Sequence, residues 1–474
     1  MKKGIFERVL IINPNYKEKA CAPLIFAGLG YITEALKQNK IEYDFIDLNL
    51  GYSEKELFRK IDSFKPDLLG IQIMSIKYLQ TYKLLDRIKQ KFPNLSIVAG
   101  GAHVTTFQEK VLEECGSIDF GIVFEGEKAI VEICKNKNLD SVKGLIFRKN
   151  KEIVHTGERE PEMRLDGIMF PSLEKFELDK YPEKMIPVVS SRGCPYRCNF
   201  CTIATCMGKR FRIRSAKNVT DEIEYWYKKG IRKFNFVDDN FTFHRKRVEE
   251  FCDEIMKREL RGLKIQCSNG VRADKVDYDL LKKMKDAGFY QLFFGVESAN
   301  NHILKNMNKT ETIEIIDKTI KDACSLGYET GLFFVIGYPG ETLNEFRNSL
   351  NFALKYPIAY VFFYNLIPFP NTPLYDYLKA NNLLLYDYPE YLNKTSHYEG
   401  ESCFYTPEMS TKDRQKAFLL GQQVTDEVIR RRIIRKYGYL GPIAKIGARI
   451  FLNKKIKDLF LYNRFFKKVL DHLK

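Results

Sequence analysis

Four cysteines crowd one short stretch of the chain, in Ser191-Arg-Gly-Cys194-Pro-Tyr-Arg-Cys198-Asn-Phe-Cys201 and then Cys206. The first three have the spacing C-x3-C-x2-C. Three thiolates on one loop can hold three irons of a cubane iron–sulfur cluster and leave the fourth iron open to another ligand. Zinc is the rival reading, but structural zinc takes four protein ligands, and Cys206 has no C-x2-C pair to match. The remaining cysteines, at 21, 115, 134, 252, 267, 324 and 403, are scattered, and the total of 11 is odd. The opening MKKGIFERVLIINPN reads as a strand and not as an export signal, so disulfides are not expected. Cys134 and Cys324 fall in helical patterns, as small core residues do.

Strands and helices must place this loop. Over the first 150 residues continuous apolar runs alternate with helical patterns: Arg8–Asn13, Tyr43–Asp47, Leu68–Ser75, Leu95–Gly101 and Phe120–Phe124. Strands buried on both faces read this way, and the alternation predicts a parallel doubly wound sheet. Ligands of such sheets bind at the carboxyl ends of the strands. Residues 141–183 are charged and irregular and read as a linker, with Gly144–Phe147 as one hairpin strand. A second alternating series follows, with strands at Ile186–Ser191, Lys233–Asp238, Lys264–Ser268, Gln291–Glu297, Gly331–Gly337 and Tyr360–Leu366. Six strand–helix units predict a partial (β/α)6 barrel. The expected organisation is an α/β chain with a Rossmann-like domain over 1–140, the linker 141–183, the barrel over 184–380 and a basic helical region over 381–474.

In order, these features resemble the radical S-adenosylmethionine (SAM) enzymes, in particular the class with an N-terminal cobalamin (B12)-binding domain. That class includes the anaerobic magnesium-protoporphyrin cyclase type and many carbon methylases. The likeness runs over about residues 5–380, and Cys194-x3-Cys198-x-Phe200-Cys201 is its most specific part. It implies that Cys194, Cys198 and Cys201 ligate a [4Fe-4S] cluster whose open iron takes the amino and carboxylate groups of SAM. One-electron reduction then cleaves SAM into methionine and a 5′-deoxyadenosyl radical, which takes a hydrogen atom from an unactivated C–H.

The resemblance implies SAM contacts at successive strand ends. Asp238 and Asp239 would meet the methionine ammonium, for which a carboxylate is a fitting partner; helix-capping acids are the plain alternative. Arg272 would pair the methionine carboxylate, or else is a surface arginine. Glu297 with Ser298 would reach the ribose, or else belongs to a solvated loop. The loop from Gly337 would run beside the adenine, where glycine allows close backbone approach. Pro368-Phe-Pro-Asn-Thr-Pro departs from the related motif, which more often has Gly where Asn371 stands.

For cobalamin the resemblance implies a floor made by Ser75, Gly100, Gly101, His103, Glu125, Gly126 and Glu127. The Asp-x-His-x-x-Gly motif of many cobalamin proteins is absent, and His103 follows Gly-Ala, so it is not expected to bind cobalt. A Rossmann-like module without corrinoid is the alternative. Gly28-Leu-Gly30 lacks the dinucleotide spacing, since residue 33 is Thr.

Composition bounds the rest. The chain has 474 residues, 45% apolar and 29% charged, about two to three domains of an ordinary globular protein at roughly 150 residues each. No apolar run approaches the roughly 18 residues of a membrane span, so a cytoplasmic protein is expected. Its net charge is +16. Between Thr411 and Lys474 stand 17 Lys/Arg against 5 Asp/Glu, so the excess is a basic tail and not a body-wide nucleic-acid groove. The tail reads either as docking on an anionic membrane surface or lipid-linked substrate, or as a helical cap with a solvated basic face.

The expected reaction is cobalamin-dependent methylation of an unactivated carbon, which consumes two SAM and yields S-adenosylhomocysteine and 5′-deoxyadenosine. The expected partners are a small-molecule or lipid-linked substrate and an external electron donor such as flavodoxin or ferredoxin, with no nucleic acid. The alternatives are radical cyclisation or rearrangement, a methylthiotransferase-like RNA modification, and a non-catalytic corrinoid or iron–sulfur protein. Cys21, Cys115 and Cys134 are too scattered to form the second cluster that a methylthiotransferase requires.

Overall fold

A computed structural model describes residues 6–15, 23–135, 138–208 and 210–441. By internal contacts the chain divides into two units: Met1–Phe241 with Asp253–Leu263 and Ile367–Ser396, and Thr242–Cys252 with Lys264–Leu366 and His397–Lys474.

The first unit opens with strands β1 (Arg8–Asn13), β2 (Glu42–Asp47), β3 (Leu68–Gln72), β4 (Ser96–Gly100) and β5 (Phe120–Ile122), which pair in parallel in the order β2-β1-β3-β4-β5. Five of the six residues of β1 are buried, as its continuous apolar run requires of a strand covered on both faces. The helices between strands start where the sequence supplies caps. Ser53 and Glu56 form a reciprocal capping box before Glu54–Phe64, satisfying donors that a helix start leaves open. β3 ends at Gln72, before the expected Ser75, although the Ile73 N–H still donates to the Gly100 carbonyl of β4.

The span read as a linker is built onto this sheet. β6 (Leu145–Lys149) and β7 (Glu152–His155) extend it antiparallel beyond β5. Residues further on are strapped across it. Ser172 N–H donates to the Gly30 carbonyl, the Thr33 hydroxyl donates to the Ser172 carbonyl, Phe176 stacks on Phe45 and Tyr181 donates to Asp47. A charged, irregular sequence concealed this, because the bonds run between backbone and side chains far apart in the chain.

Also in the first unit, β8 (Met185–Val188) pairs in parallel with β11 (Lys233–Phe236). Between them a short ribbon, β9 (Ser191–Arg192) against β10 (Arg212–Ile213), pairs antiparallel and closes the base of the cysteine loop. The strand expected over Ile186–Ser191 is therefore two strands separated by a bend. In the second unit β12 (Lys264–Val271), β13 (Phe289–Glu297), β14 (Glu329–Ile336) and β15 (Tyr360–Asn365) pair consecutively in parallel. The chain thus has the expected α/β class, with a parallel N-terminal sheet and a second parallel strand series.

The region after 380 is not one body. The helix Tyr388–Lys394 belongs to the first unit, where Leu392 accepts from Lys77 N–H. The helix Thr411–Tyr437 belongs to the second, with Gly421 against Phe363 and Val428 buried. Arg432 pairs with Glu329 and lies over the Tyr360 ring, and Arg435 donates to the Ile358 carbonyl. This described part of the tail is a cap on β14 and β15. Lys454, Lys455, Lys457, Lys467 and Lys468 lie outside the described residues. Among the described residues no helix is long and apolar enough to cross a membrane.

Arg214 anchors the strand that leads into the cysteine loop. It donates to the Val189 carbonyl and pairs with Glu222, whose side chain is fully buried. Arg214→Leu leaves that carboxylate without its cation, and breaking such a buried pair costs about 3–5 kcal/mol. The expected outcome is a lowered denaturation midpoint of that size; a midpoint equal to wild type would refute the anchoring role.

Candidate functional site

The cysteine loop spans residues 193–211, between the paired β9 and β10. Gly193 sits at φ +83°, and a Cβ there would lie 2.7 Å from the Arg210 carbonyl oxygen, so the two ends of the loop meet at a position only glycine fits. Within it Cys201 N–H donates to the Cys198 carbonyl, and Cys198 and Cys194 lie near enough to act on the charge of Cys201. All three are partly exposed. Asn240 directs its amide at Cys194 Sγ, 3.9 Å away. Burial, and the charges of Cys198 and Cys194, push the Cys201 thiol up to about 12. Thiols that raise one another in this way resist ionising together unless a cation is present. Phe200 and Asn199 lie in the same turn, and the Asn199 carbonyl accepts from Leu374 N–H.

Asp238 and Asp239, at the end of β11, brace the start of this loop. Asp238 Oδ1 accepts from Ser190 N–H at 3.0 Å, from Ser190 Oγ at 2.9 Å and from Ser191 Oγ. Asp239 Oδ2 accepts from Gly193 N–H at 3.1 Å. Burial, then the neighbouring Asp238, push the Asp239 carboxyl up to about 6.

A cavity of about 740 Å³ opens at the carboxyl edge of the first sheet, toward the upper part of the range for cofactor sites. Gly100, Gly101, Glu125, Gly126 and Glu127 line it, as expected. So do Tyr31 and, from the cysteine loop, Ala204, Cys206 and Met207. Gly101 stands at φ +96°, where a Cβ would come 2.9 Å from the Ile73 carbonyl oxygen. A Cβ at Gly28 would meet nothing within 4 Å. A glycine-floored cavity of this size fits a large flat ring lying close to the backbone.

Two expected floor residues are elsewhere. Ser75 and His103 are buried and are not among the described residues lining the cavity. His103 stacks on Tyr78 with ring centroids 4.2 Å apart, its Nε2 is 2.9 Å from the Tyr82 hydroxyl, and burial pushes its pKa down to about 3. It is a neutral core histidine. Cys206, considered as a fourth metal ligand, instead faces Thr106 at 3.6 Å.

In the second unit the expected residues sit in two linked networks. Arg272 donates to Asp274 at 2.9 Å and to Thr310 at 3.0 Å, and lies 3.6 Å from Glu311. Glu311 pairs with Lys309 at 3.2 Å, and Lys309 pairs with Glu297 at 3.3 Å. Glu297 has φ +64°, a backbone conformation that costs energy for a non-glycine residue and often marks functional positions. Ser298 Oγ donates to Glu341 at 2.8 Å, and Gly337 N–H donates to the same carboxylate at 3.0 Å. Arg414, from the start of the capping helix, donates to the carbonyls of Ile336 and Gly337. Lys309, Glu311 and Arg414 had no signal in the sequence beyond their charge, whereas Glu341 closes the Gly337-Tyr-Pro-Gly-Glu341 turn read beside the adenine; burial marks all four.

Comparisons with known proteins place both parts of the chain in known families. Residues 188–353 match the radical SAM superfamily, and residues 23–134 match the B12 binding domain. The uncharacterized methyltransferase PH0819 of Pyrococcus horikoshii is 31% identical over 370 residues, covering 76% of this chain and 79% of that one. An anaerobic magnesium-protoporphyrin IX monomethyl ester cyclase of Cereibacter sphaeroides is 28% identical over 407 residues, covering 81% and 65% respectively. Among solved structures, the cobalamin-dependent SAM radical enzyme OxsB superposes with a TM-score of 0.77 at 17% identity, over 99% of this chain and 75% of that one. The chain belongs to the radical SAM superfamily, and within it to the proteins that carry an N-terminal B12-binding domain. It is an enzyme, and its cofactors are a [4Fe-4S] cluster, SAM and cobalamin.

Burial raises the Glu341 carboxyl to about 7, against the bonds from Ser298 and Gly337 and the charge of Arg414. Its unfolded value is near 4.3, so folding takes up a proton. Its contribution to stability is full below about pH 4 and is lost as pH rises toward 7. The denaturation midpoint is expected to fall between about pH 5 and pH 8, by an amount corresponding to roughly 3 kcal/mol at most. Glu341→Gln should flatten that slope; equal slopes in the two proteins would exclude Glu341 as its source.

Proposed function

We propose that the protein methylates an unactivated carbon of a small-molecule substrate by a cobalamin-dependent radical route. One observation carries this reading: a single cavity is lined on one side by the glycine edge of the B12-binding domain and on the other by Ala204, Cys206 and Met207 of the cysteine loop. A methyl carrier held there lies beside the loop where the radical is initiated. The cluster supplies the electron that cleaves SAM, and cobalamin supplies the carrier for a methyl group.

The chain's own residues have assignable parts in this reading. Cys194, Cys198 and Cys201 hold the cluster, and Asn240 directs an amide toward one of its sulfurs. Asp238 and Asp239 fix the start of the loop, and in this reading one of the pair meets the SAM ammonium. Arg272 is assigned to the SAM carboxylate, Glu297 and Ser298 to its ribose and Gly337 to its adenine, and Lys309, Glu311, Glu341 and Arg414 position these four within the second unit. A small one-electron donor such as a flavodoxin or ferredoxin supplies the reductant. The methyltransferase name of the archaeal relative supports methyl transfer; the cyclase relative supports the second reading, radical ring closure without it.

The two readings differ in what becomes of SAM. Anaerobically reconstituted protein, reduced and given SAM labelled with deuterium on its methyl group, is expected to form both S-adenosylhomocysteine and 5′-deoxyadenosine. The triple variant Cys194→Ala, Cys198→Ala, Cys201→Ala is expected to lose 5′-deoxyadenosine entirely. Formation of 5′-deoxyadenosine alone, with no S-adenosylhomocysteine, would favour the cyclase-like reading and overturn methylation.

A further inference from the structure

Glu125 and Glu127 line the cavity, yet both carboxylates are already engaged. Glu125 Oε1 takes Arg212 Nη1 at 2.6 Å and Arg192 Nη1 at 3.1 Å. Glu127 Oε1 takes Arg192 Nη2 at 2.6 Å. The two guanidiniums are nearly inaccessible, with side-chain exposures of 1% for Arg212 and 8% for Arg192. Arg192 also lies over the Tyr31 ring, 5.0 Å from its centroid, and Arg212 donates to the Glu162 carbonyl at 3.0 Å. Burial works against charge here, yet the two arginines hold the Glu125 carboxyl below its usual range.

The position of the arginines gives this cluster its meaning. Arg192 and Arg212 face each other across the β9–β10 ribbon. They are the residues immediately flanking 193–211, the loop that carries the three cluster cysteines. The carboxylates come from the turn after β5 and from the first residue of the helix Glu127–Cys134 that follows it, in the B12-binding domain. Two buried cations at the base of the loop are therefore neutralised by two acids at the edge of the corrin cavity.

We propose that Glu125 and Glu127 are positioning residues that clamp the cysteine loop to the B12-binding domain through Arg192 and Arg212, and so set where the cluster stands relative to the corrin cavity. In this reading their carboxylates act on the loop, although both residues line the cavity, where a corrin contact was expected. The proposal rests on the two-cofactor assignment only for its purpose; the clamp itself is a contact among protein side chains. Glutamine keeps the shape of each side chain and removes its charge, leaving a buried guanidinium without its anion, which is costly.

The test uses the full chain carrying its cluster, as wild type, Glu125→Gln and Glu127→Gln. Glu127→Gln is the milder change, since it leaves the Glu125–Arg212 pair intact. Amide hydrogen exchange across residues 193–208 is measured, together with the affinity for hydroxocobalamin. The clamp predicts a severalfold rise in exchange confined to the loop, with β3 and β4 protected as in wild type. Unchanged loop exchange with weakened hydroxocobalamin binding would overturn it and return the two acids to the corrin. Faster exchange throughout the first sheet would overturn it as well, marking a general structural role. Wild-type protein that takes up iron but no cobalt would count against the cobalamin assignment and not the clamp, because exchange is read without cobalamin.

Discussion

Charge crowding on one loop is the constraint that the rest of the first unit answers. Three cysteines within eight residues must ionise together to bind iron, and each thiolate raises the cost of the next. The loop cannot gain order from its own packing, since its thiols stay partly exposed. Order comes from outside: Gly193 closes the base, Asp238 and Asp239 fix the approaching backbone, Arg192 and Arg212 tie the ribbon beneath, and Leu374 holds the Asn199 carbonyl. Most of these holds are hydrogen bonds or ion pairs of buried groups, strong when complete and costly when one partner is removed.

A second solution appears at the end of β14. There a buried carboxylate, Glu341, accepts from Ser298 and from Gly337 N–H, while Arg414 fills the carbonyl side of the same turn and covers the Phe404 ring at 3.8 Å. Both sites place their flexible glycines against charged, immobilised side chains. Permissive backbone and rigid surroundings are complementary: glycine allows the close approach, and the buried ions keep the turn from exploring the freedom glycine brings.

The sequence displayed what depends on local pattern. Alternating apolar runs gave both strand series, because a strand buried on both faces must be apolar throughout. The cysteine spacing identified the metal loop, because ligand spacing is itself local. What stayed hidden depends on partners distant in the chain. His103 follows two small residues at a strand end, like a cavity residue, but Tyr78 and Tyr82 sequester it. The segment 141–183 lacked apolar periodicity, yet its backbone bonds across the first sheet. Glu125 and Glu127 were placed correctly at the cavity edge, but their bonds to Arg192 and Arg212, over 60 residues on, cannot be inferred from spacing.

Each compact unit is closed by a segment that comes late in the chain: Ile367–Ser396 for the first, His397 onward for the second. A chain emerging from the ribosome forms its N-terminal sheet early, as domains generally fold in order of synthesis. The carbonyls of Asn199 and Thr106, however, wait for Leu374 and Asn371, and the Gly337 turn waits for Arg414. A nascent chain stalled before Asn371 would present its cysteines with neither the Asn199 nor the Thr106 carbonyl held, and one stalled before Arg414 would still lack the hold on the Gly337 turn. The stretch that carries the cysteines is therefore translated well before the residue that holds its Asn199 carbonyl becomes available.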